Sequence, residues 1–148
     1  MNILKVKKLV PEAVMPIRAH ETDAGWDLTA ISDGEKGSEG YIQYRTGLAI
    51  QLPEGYDGFI FPRSSISKYD LILANGVGVV DQSYRGELLV RFRSLCRMDN
   101  ESRNVRHYKK GDRIAQLLIR ARPEFSLEEV EELSSTDRAG KGFGSSGS

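Results

Sequence analysis

Apolar residues recur at every second position in several separate stretches of this chain, and that spacing admits one class of fold. Leu48, Ile50 and Leu52 alternate with Ala49 and Gln51, and Phe59 and Phe61 flank Ile60. Leu88, Val90 and Phe92 share a face opposite Arg91 and Arg93; Ile114, Gln116 and Leu118 share one opposite Ala115, Leu117 and Ile119. A β-strand throws successive side chains to opposite faces, so each stretch reads as a strand with one face for a core. Glycine, proline and polar turns separate them at residues 33–40, 53–58, 99–104 and 110–112. Short strands so spaced predict an all-β sandwich or barrel. No strand–helix–strand rhythm is present, which argues against a doubly wound nucleotide-binding sheet.

Two segments break the pattern. After Pro62, R-S-S-I-S-K-Y predicts a short helix with serine caps at its start. In S-L-E-E-V-E-E-L, residues 126–133, Ser126 and Glu129 form a capping box and Leu127, Val130 and Leu133 lie three apart, the pattern of a second helix. The closing K-G-F-G-S-S-G-S is low in complexity and is expected to be mobile without ligand.

Charge and size narrow the partners. A chain of 148 residues fits one domain and can bury roughly 70% of its unfolded surface. Its 21 basic and 21 acidic residues cancel, so it lacks the broad positive field of a duplex-binding protein, and any anion must be met by a local cluster. The single cysteine, Cys96, allows no internal disulfide and reads as a small strand hydrophobe. His20 and His107 lie far apart without a cysteine set; they read as loop or surface residues and argue against structural zinc. No stretch approaches 18 apolar residues and the first residues lack an apolar signal core, which together predict a soluble cytoplasmic protein with no membrane partner.

Five segments carry candidate chemistry. In G-V-G-V-V-D-Q-S-Y-R-G-E, residues 76–87, an apolar run delivers Asp81 to the lip of a tight turn, Tyr84 adds an aromatic platform, and Gly86 lets the backbone escape. A-G-W-D-L-T-A sets Asp27 at a strand start, either satisfied by turn backbone or organising the water shell of Mg²⁺. F-P-R-S-S-I-S-K offers the planar fork of Arg63 and the donors of Ser64 and Ser65 at a helix start, a set suited to phosphate. In G-D-R-I-A-Q-L-L-I, Gln116 interrupts an apolar face and needs a partner, either another strand or a ligand oxygen. The tail R-A-G-K-G-F-G-S-S-G-S has a formal G-x-G-x-x-G match at Gly142, Gly144 and Gly147, but only Ser148 follows, so no helix exists to hold a pyrophosphate. Its Arg138 and Phe143 on a flexible segment suit a lid instead.

Taken in order, the five segments resemble the five motifs of the trimeric dUTP pyrophosphatases (dUTPases), from about Ala24 to Gly147. The resemblance implies a single jelly-roll-like domain over residues 1–148, with 134–148 as a mobile lid, and a homotrimer with three shared active sites. It implies hydrolysis of dUTP to dUMP and pyrophosphate with Mg²⁺, an activity that limits uracil in DNA and supplies dUMP for dTMP synthesis. By that similarity Asp81 is the general base for water attack on the α-phosphorus, and Tyr84 packs beneath the deoxyribose and excludes a 2′-hydroxyl. Backbone at Gly78–Val80, with Asn75, reads uracil, while Arg63, Ser64, Ser65 and Gln116 hold the phosphate chain. Asp27 meets the metal through water, and Arg138, Phe143, Gly144, Ser145 and Ser146 close over the substrate. The resemblance also makes residues 126–133 a strand or extended arm leading to a neighbouring subunit, against their helical pattern.

The chain departs from the family pattern in four places. Trp26 stands where Tyr or Met is frequent, Ser83 replaces the second acid of D-x-D-Y, the tail reads A-G-K-G with Lys141, and the loop 97–108 is longer and more charged. Two rival readings follow. One is a dCTP deaminase of related fold, for which Glu87 is the acid to suspect. The other is a dUTPase-like module that binds another protein under nucleotide control.

Overall fold

The computed structural model describes residues 2–95, 106–136 and 140. Ten strands form within them. One antiparallel sheet runs in the order β2 (Trp26–Thr29), β10 (Arg113–Ala121), β6 (Tyr56–Pro62), β8 (Gly78–Val80). A second runs β3 (Glu35–Lys36), β4 (Tyr41–Arg45), β9 (Leu89–Ser94), β7 (Leu71–Leu73). The remaining two, β1 (Lys5–Lys8) and β5 (Leu48–Gln51), pair with each other. Side chains from both larger sheets meet in one core, with Leu28, Ile60 and Leu117 from the first and Tyr44, Val90 and Phe92 from the second. Burying a side chain such as Leu117 contributes about 1.5–3 kcal/mol. The all-β expectation holds.

Alternation is cleanest in β9, where Val90 and Phe92 are buried and Leu89, Arg91 and Arg93 face solvent. It fails at the start of β10. Ile114 and Ala115 are both fully buried, because a register shift between Arg113 and Ala115 inserts a bulge against β2 and turns the chain by a half-step. Ile114 therefore does not continue the Gln116–Leu118 face. In β5, Leu48, Ala49 and Ile50 are all buried, so that strand is covered on both sides.

The two predicted helices fared differently. Ser64–Lys68 is a single short 3₁₀ segment. Its cap is Arg63 in extended conformation with no side-chain cap bond, so the serine-cap reading is corrected: Ser67 Oγ instead donates back to the Ser64 carbonyl at 3.0 Å. Residues 126–133 form neither helix nor strand, and Leu127 is fully exposed. An eight-residue helix is marginal alone, and its four glutamates would repel one another at i,i+3 and i,i+4 spacing. Its apolar stripe packs on none of the described residues, and Leu127, Val130 and Leu133 are exposed. The chain runs there as an exposed irregular segment. Cys96, the turn 99–104, most of the loop 97–108 and the tail residues Arg138, Lys141 and 142–148 lie outside the described residues. Among those described, no helix is long and apolar enough to cross a membrane. His20 is exposed beside Asp23, and His107 is a half-buried loop residue whose Nε2 is covered.

The core between the sheets is aromatic. Tyr44 is inaccessible and stands edge-on to Phe92 and Tyr108, and its hydroxyl donates to the Tyr108 carbonyl at 3.1 Å. Burial, reinforced by the nearby Asp112 and Asp33 charges, pushes the Tyr44 phenol up to about 12 from 10.0. The folded state therefore keeps this proton longer than the unfolded chain does. The stability it contributes is complete below pH 10 and is lost as pH rises through about 12. Tyr44→Phe is expected to lower the melting temperature at pH 8, by orphaning the Tyr108 carbonyl, yet to lose less between pH 10 and 11.5 than the parent. Parallel melting-temperature slopes for the two proteins would contradict this.

Candidate active site

The hairpin that carries Asp81 is built by its glycines. Gly76, at φ +69°, makes the turn before β8, with its N–H donating to the Leu73 carbonyl at 3.0 Å. Gly78 is buried against β6; a methyl group there would stand 3.1 Å from Ile60 Cβ and 3.4 Å from Asn75 Nδ2. A side chain there would press on Ile60, which would have to give by a few tenths of an ångström. β8 is the edge strand of its sheet, so its outward N–H and C=O groups have no strand partner among the described residues. They offer a flat ligand the same hydrogen bonds that a further strand would use. Val80 is buried and anchors the strand end, so the following Asp81 emerges into solvent. Among the described residues no donor engages its carboxylate.

Tyr84 closes the turn, its N–H donating to the Asp81 carbonyl at 3.0 Å. Its ring lies over Gly86, where any Cβ would collide with it. Gly86 thus serves to seat the ring rather than to free the backbone. The Tyr84 hydroxyl donates to the Glu87 carbonyl at 2.9 Å. Glu87 is locked in turn: Arg45 donates to its carboxylate at 3.2 Å from Nε and 3.1 Å from Nη2, and the Gly47 N–H does so at 2.7 Å. That pairing raises the Arg45 pKa further. Asn75, Gly78, Val80, Asp81 and Tyr84 line one hollow of about 290 Å³, with Arg91 on its wall. A second hollow of about 270 Å³ shares Asn75, Gly78 and Arg91 with it. The pair has the size of a small-ligand site.

A second cluster forms on β2 and β10. The register sets Asp27 opposite Gln116, and Gln116 opposite Phe61. Arg63 Nε donates to Asp27 Oδ1 at 2.6 Å and Arg113 Nη1 to Asp27 Oδ2 at 3.0 Å. Ser65 lies beside the Arg63 fork and Ser64 is exposed next to it. Gln116 finds a strand partner, its Nε2 donating to the Pro62 carbonyl at 3.0 Å. Gly25 leaves it room, since a Cβ there would stand 3.2 Å from Gln116 Oε1. The arrangement is two guanidiniums on one acid, rimmed by hydroxyls and an amide. It suits a polyanion.

The structure thus gathers the sequence-predicted residues into two groups, Asp27, Arg63, Ser64, Ser65 and Gln116 in one and Asn75, Gly78, Val80, Asp81 and Tyr84 in the other. No hydrogen bond among the described residues joins them, and three strand spacings, about 14 Å, separate β2 from β8. Arg113, the Arg45–Glu87 brace and Arg91 were missed from sequence. The first had a signal in G-D-R at the mouth of β10; the other two depend on strand pairing. Among the described residues no three His, Cys, Asp or Glu side chains converge on a metal position.

The family model for dUTPase matches residues 11–147. The chain belongs to the dUTPase family. It is 40% identical over 149 residues to the deoxyuridine 5′-triphosphate nucleotidohydrolase of Paramecium bursaria Chlorella virus 1, covering 99% of both chains. To the Rhodococcus erythropolis protein of the same name it is 41% identical over 147 residues, 97% of this chain and 85% of that one. A variant dUTPase of Staphylococcus bacteriophage 80alpha, solved with dUpNHpp, matches over the whole of both chains with a TM-score of 0.80 at 32% identity. A variant from phage phi11 of S. aureus, in which a structural Mg(II) ion is coordinated, matches 90% of this chain and 100% of that one with a TM-score of 0.72 at 29% identity. The dUTPase fold of this chain is jelly-roll-like, and as a dUTPase it is a hydrolase acting on phosphoric anhydrides.

Proposed function

We propose that this dUTPase hydrolyses dUTP to dUMP and pyrophosphate, with Asp81 as general base. The carboxylate takes a proton from water, the water oxygen bonds the α-phosphorus, and the bond to the bridging oxygen breaks to release pyrophosphate. One observation carries the assignment: the Asp81 carboxylate stands exposed at the lip of the hollow with no competing donor among the described residues. An acid already hydrogen-bonded would be a weaker base. The unpaired edge of β8 with Asn75 reads uracil. Tyr84, held by the Glu87 carbonyl, packs beneath the sugar and rejects a 2′-hydroxyl.

Arg63, Ser64, Ser65 and Gln116 take the phosphate chain. The 3₁₀ segment is too short to act as a helix dipole, so the charged fork and the hydroxyls supply the attraction. The donor set fits Mg²⁺ carried by substrate phosphates and water rather than caged by protein, since both Asp27 oxygens already accept from arginine and spare only outward lone pairs for a metal-bound water. Bound there, the ion would neutralise phosphate charge and polarise the α-phosphorus. Arg138, Phe143, Gly144, Ser145 and Ser146 close over the nucleotide.

Two features support a homotrimer with shared sites. The hairpin and the phosphate cluster lie apart in one chain, so each completes the other across a subunit boundary. The outer face of the β2-β10-β6-β8 sheet also sets Val79, 64% exposed, in register with Phe59 and Leu118. An apolar strip of that kind marks a protein contact.

Pyrophosphate release measured across dUTP, dTTP, dCTP and UTP with Mg²⁺ tests the reading, and a strong preference for dUTP is expected. Ammonia release from dCTP would overturn it. The deaminase alternative has lost its acid, because Glu87 is committed to Arg45 and Gly47.

A further inference from the structure

Arg122 directly follows β10, where the chain leaves the sheets for the exposed segment 122–136. Its N–H donates to the Gly55 carbonyl at 2.8 Å. Its guanidinium spans two elements, Nη1 donating to Asp57 Oδ1 on β6 at 3.1 Å and Nη2 to Gln82 Oε1 at 3.1 Å. Gln82 is the neighbour of Asp81. The Gln82 carbonyl is held separately by Arg85 Nη1 at 2.6 Å, and the same nitrogen donates to the Tyr84 carbonyl at 2.8 Å. Asp81 has no donor on its own carboxylate among the described residues, so only the backbone of this turn sets its direction.

We propose that Arg122 is a positioning residue for Asp81: by tying Gln82 to Asp57 it fixes the turn that aims the general base. The inference rests on the role given to Asp81 above. A guanidinium suits the task because its planar fork meets two acceptors in fixed geometry, which a lysine ammonium cannot match. Misaiming a reacting group by an ångström can cost on the order of 10²-fold in rate. Without Arg122 the turn keeps the Tyr84 N–H and Arg85 bonds, so it stays formed but swings more freely. The loss then falls on turnover rather than on binding.

The test is steady-state pyrophosphate release from dUTP together with melting temperature, for Arg122→Ala, Arg122→Lys, Gln82→Ala and the Arg122→Ala/Gln82→Ala pair. Each single variant is expected to lower kcat about tenfold with KM held within about twofold. The pair should be no slower than the slower single variant, because both remove one bond. Arg122→Lys keeps a cation for Asp57 and should hold the melting temperature while losing kcat. Arg120→Ala, which removes a guanidinium across the ladder from Asp57 without touching Gln82, should leave kcat unchanged. Unchanged kcat in Arg122→Ala and Gln82→Ala, or losses that multiply in the pair, would overturn the clamp. If Arg122→Ala does not fold, Arg122→Lys and Gln82→Ala decide. A parent protein that releases no pyrophosphate from dUTP would instead defeat the functional reading itself.

Discussion

Asp81→Asn is expected to lower dUTP turnover by roughly 10²–10⁴-fold, the usual contribution of a positioned general base. The substitution is nearly isosteric and removes no hydrogen bond made by the described residues, so the fold should be indifferent to it. Asparagine cannot take a proton from water at neutral pH, while it leaves the hollow between Asn75 and Tyr84 intact. Calorimetry with a non-hydrolysable dUTP analogue should show affinity retained or improved, since one negative charge near the phosphates is gone. A melting temperature equal to the parent's, together with lost kcat, would assign the loss to chemistry. Undiminished turnover would refute the role of Asp81.

What was legible in the sequence was what the chain builds from neighbours. The turn from Gly76 to Tyr84 is local, and its glycines, buried Val80 and emergent acid follow from strand period and turn sterics. What failed was set by partners far away in sequence. The register of β10 on β2 joins Arg113 to Asp27 across 86 residues, and the bulge that buries Ile114 beside Ala115 arises from that pairing. No local pattern announces either. The Glu87 carboxylate looked free for catalysis until the fold brought Arg45 to it across 42 residues. In 126–133 the error ran the other way. Capping and spacing were locally consistent with a helix, yet a helix needs a surface for its apolar stripe, and the described residues provide none.

Asp27→Ala is expected to lower kcat/KM for dUTP by about 10- to 100-fold, mainly through KM, matching the loss of one charge-assisted bond at about 1.5–3 kcal/mol. In the parent, one carboxylate with only 14% of its side chain exposed holds two guanidiniums, Arg63 at 2.6 Å and Arg113 at 3.0 Å. It both cancels their repulsion and fixes the fork of Arg63 before substrate arrives. That preorganisation lowers the entropy lost on binding phosphate. Alanine removes the anchor and leaves two like charges adjacent, so the melting temperature should fall as well. Asp27→Asn keeps one acceptor for Arg63 and should recover part of both losses. A purely metal-bridging acid behaves differently: its variants would regain activity as Mg²⁺ is raised, and alanine and asparagine would be equally poor. If kcat/KM in Asp27→Ala recovers fully at high Mg²⁺ with Arg63 untouched, the arginine-organising role is wrong and the water-mediated metal contact alone explains this acid.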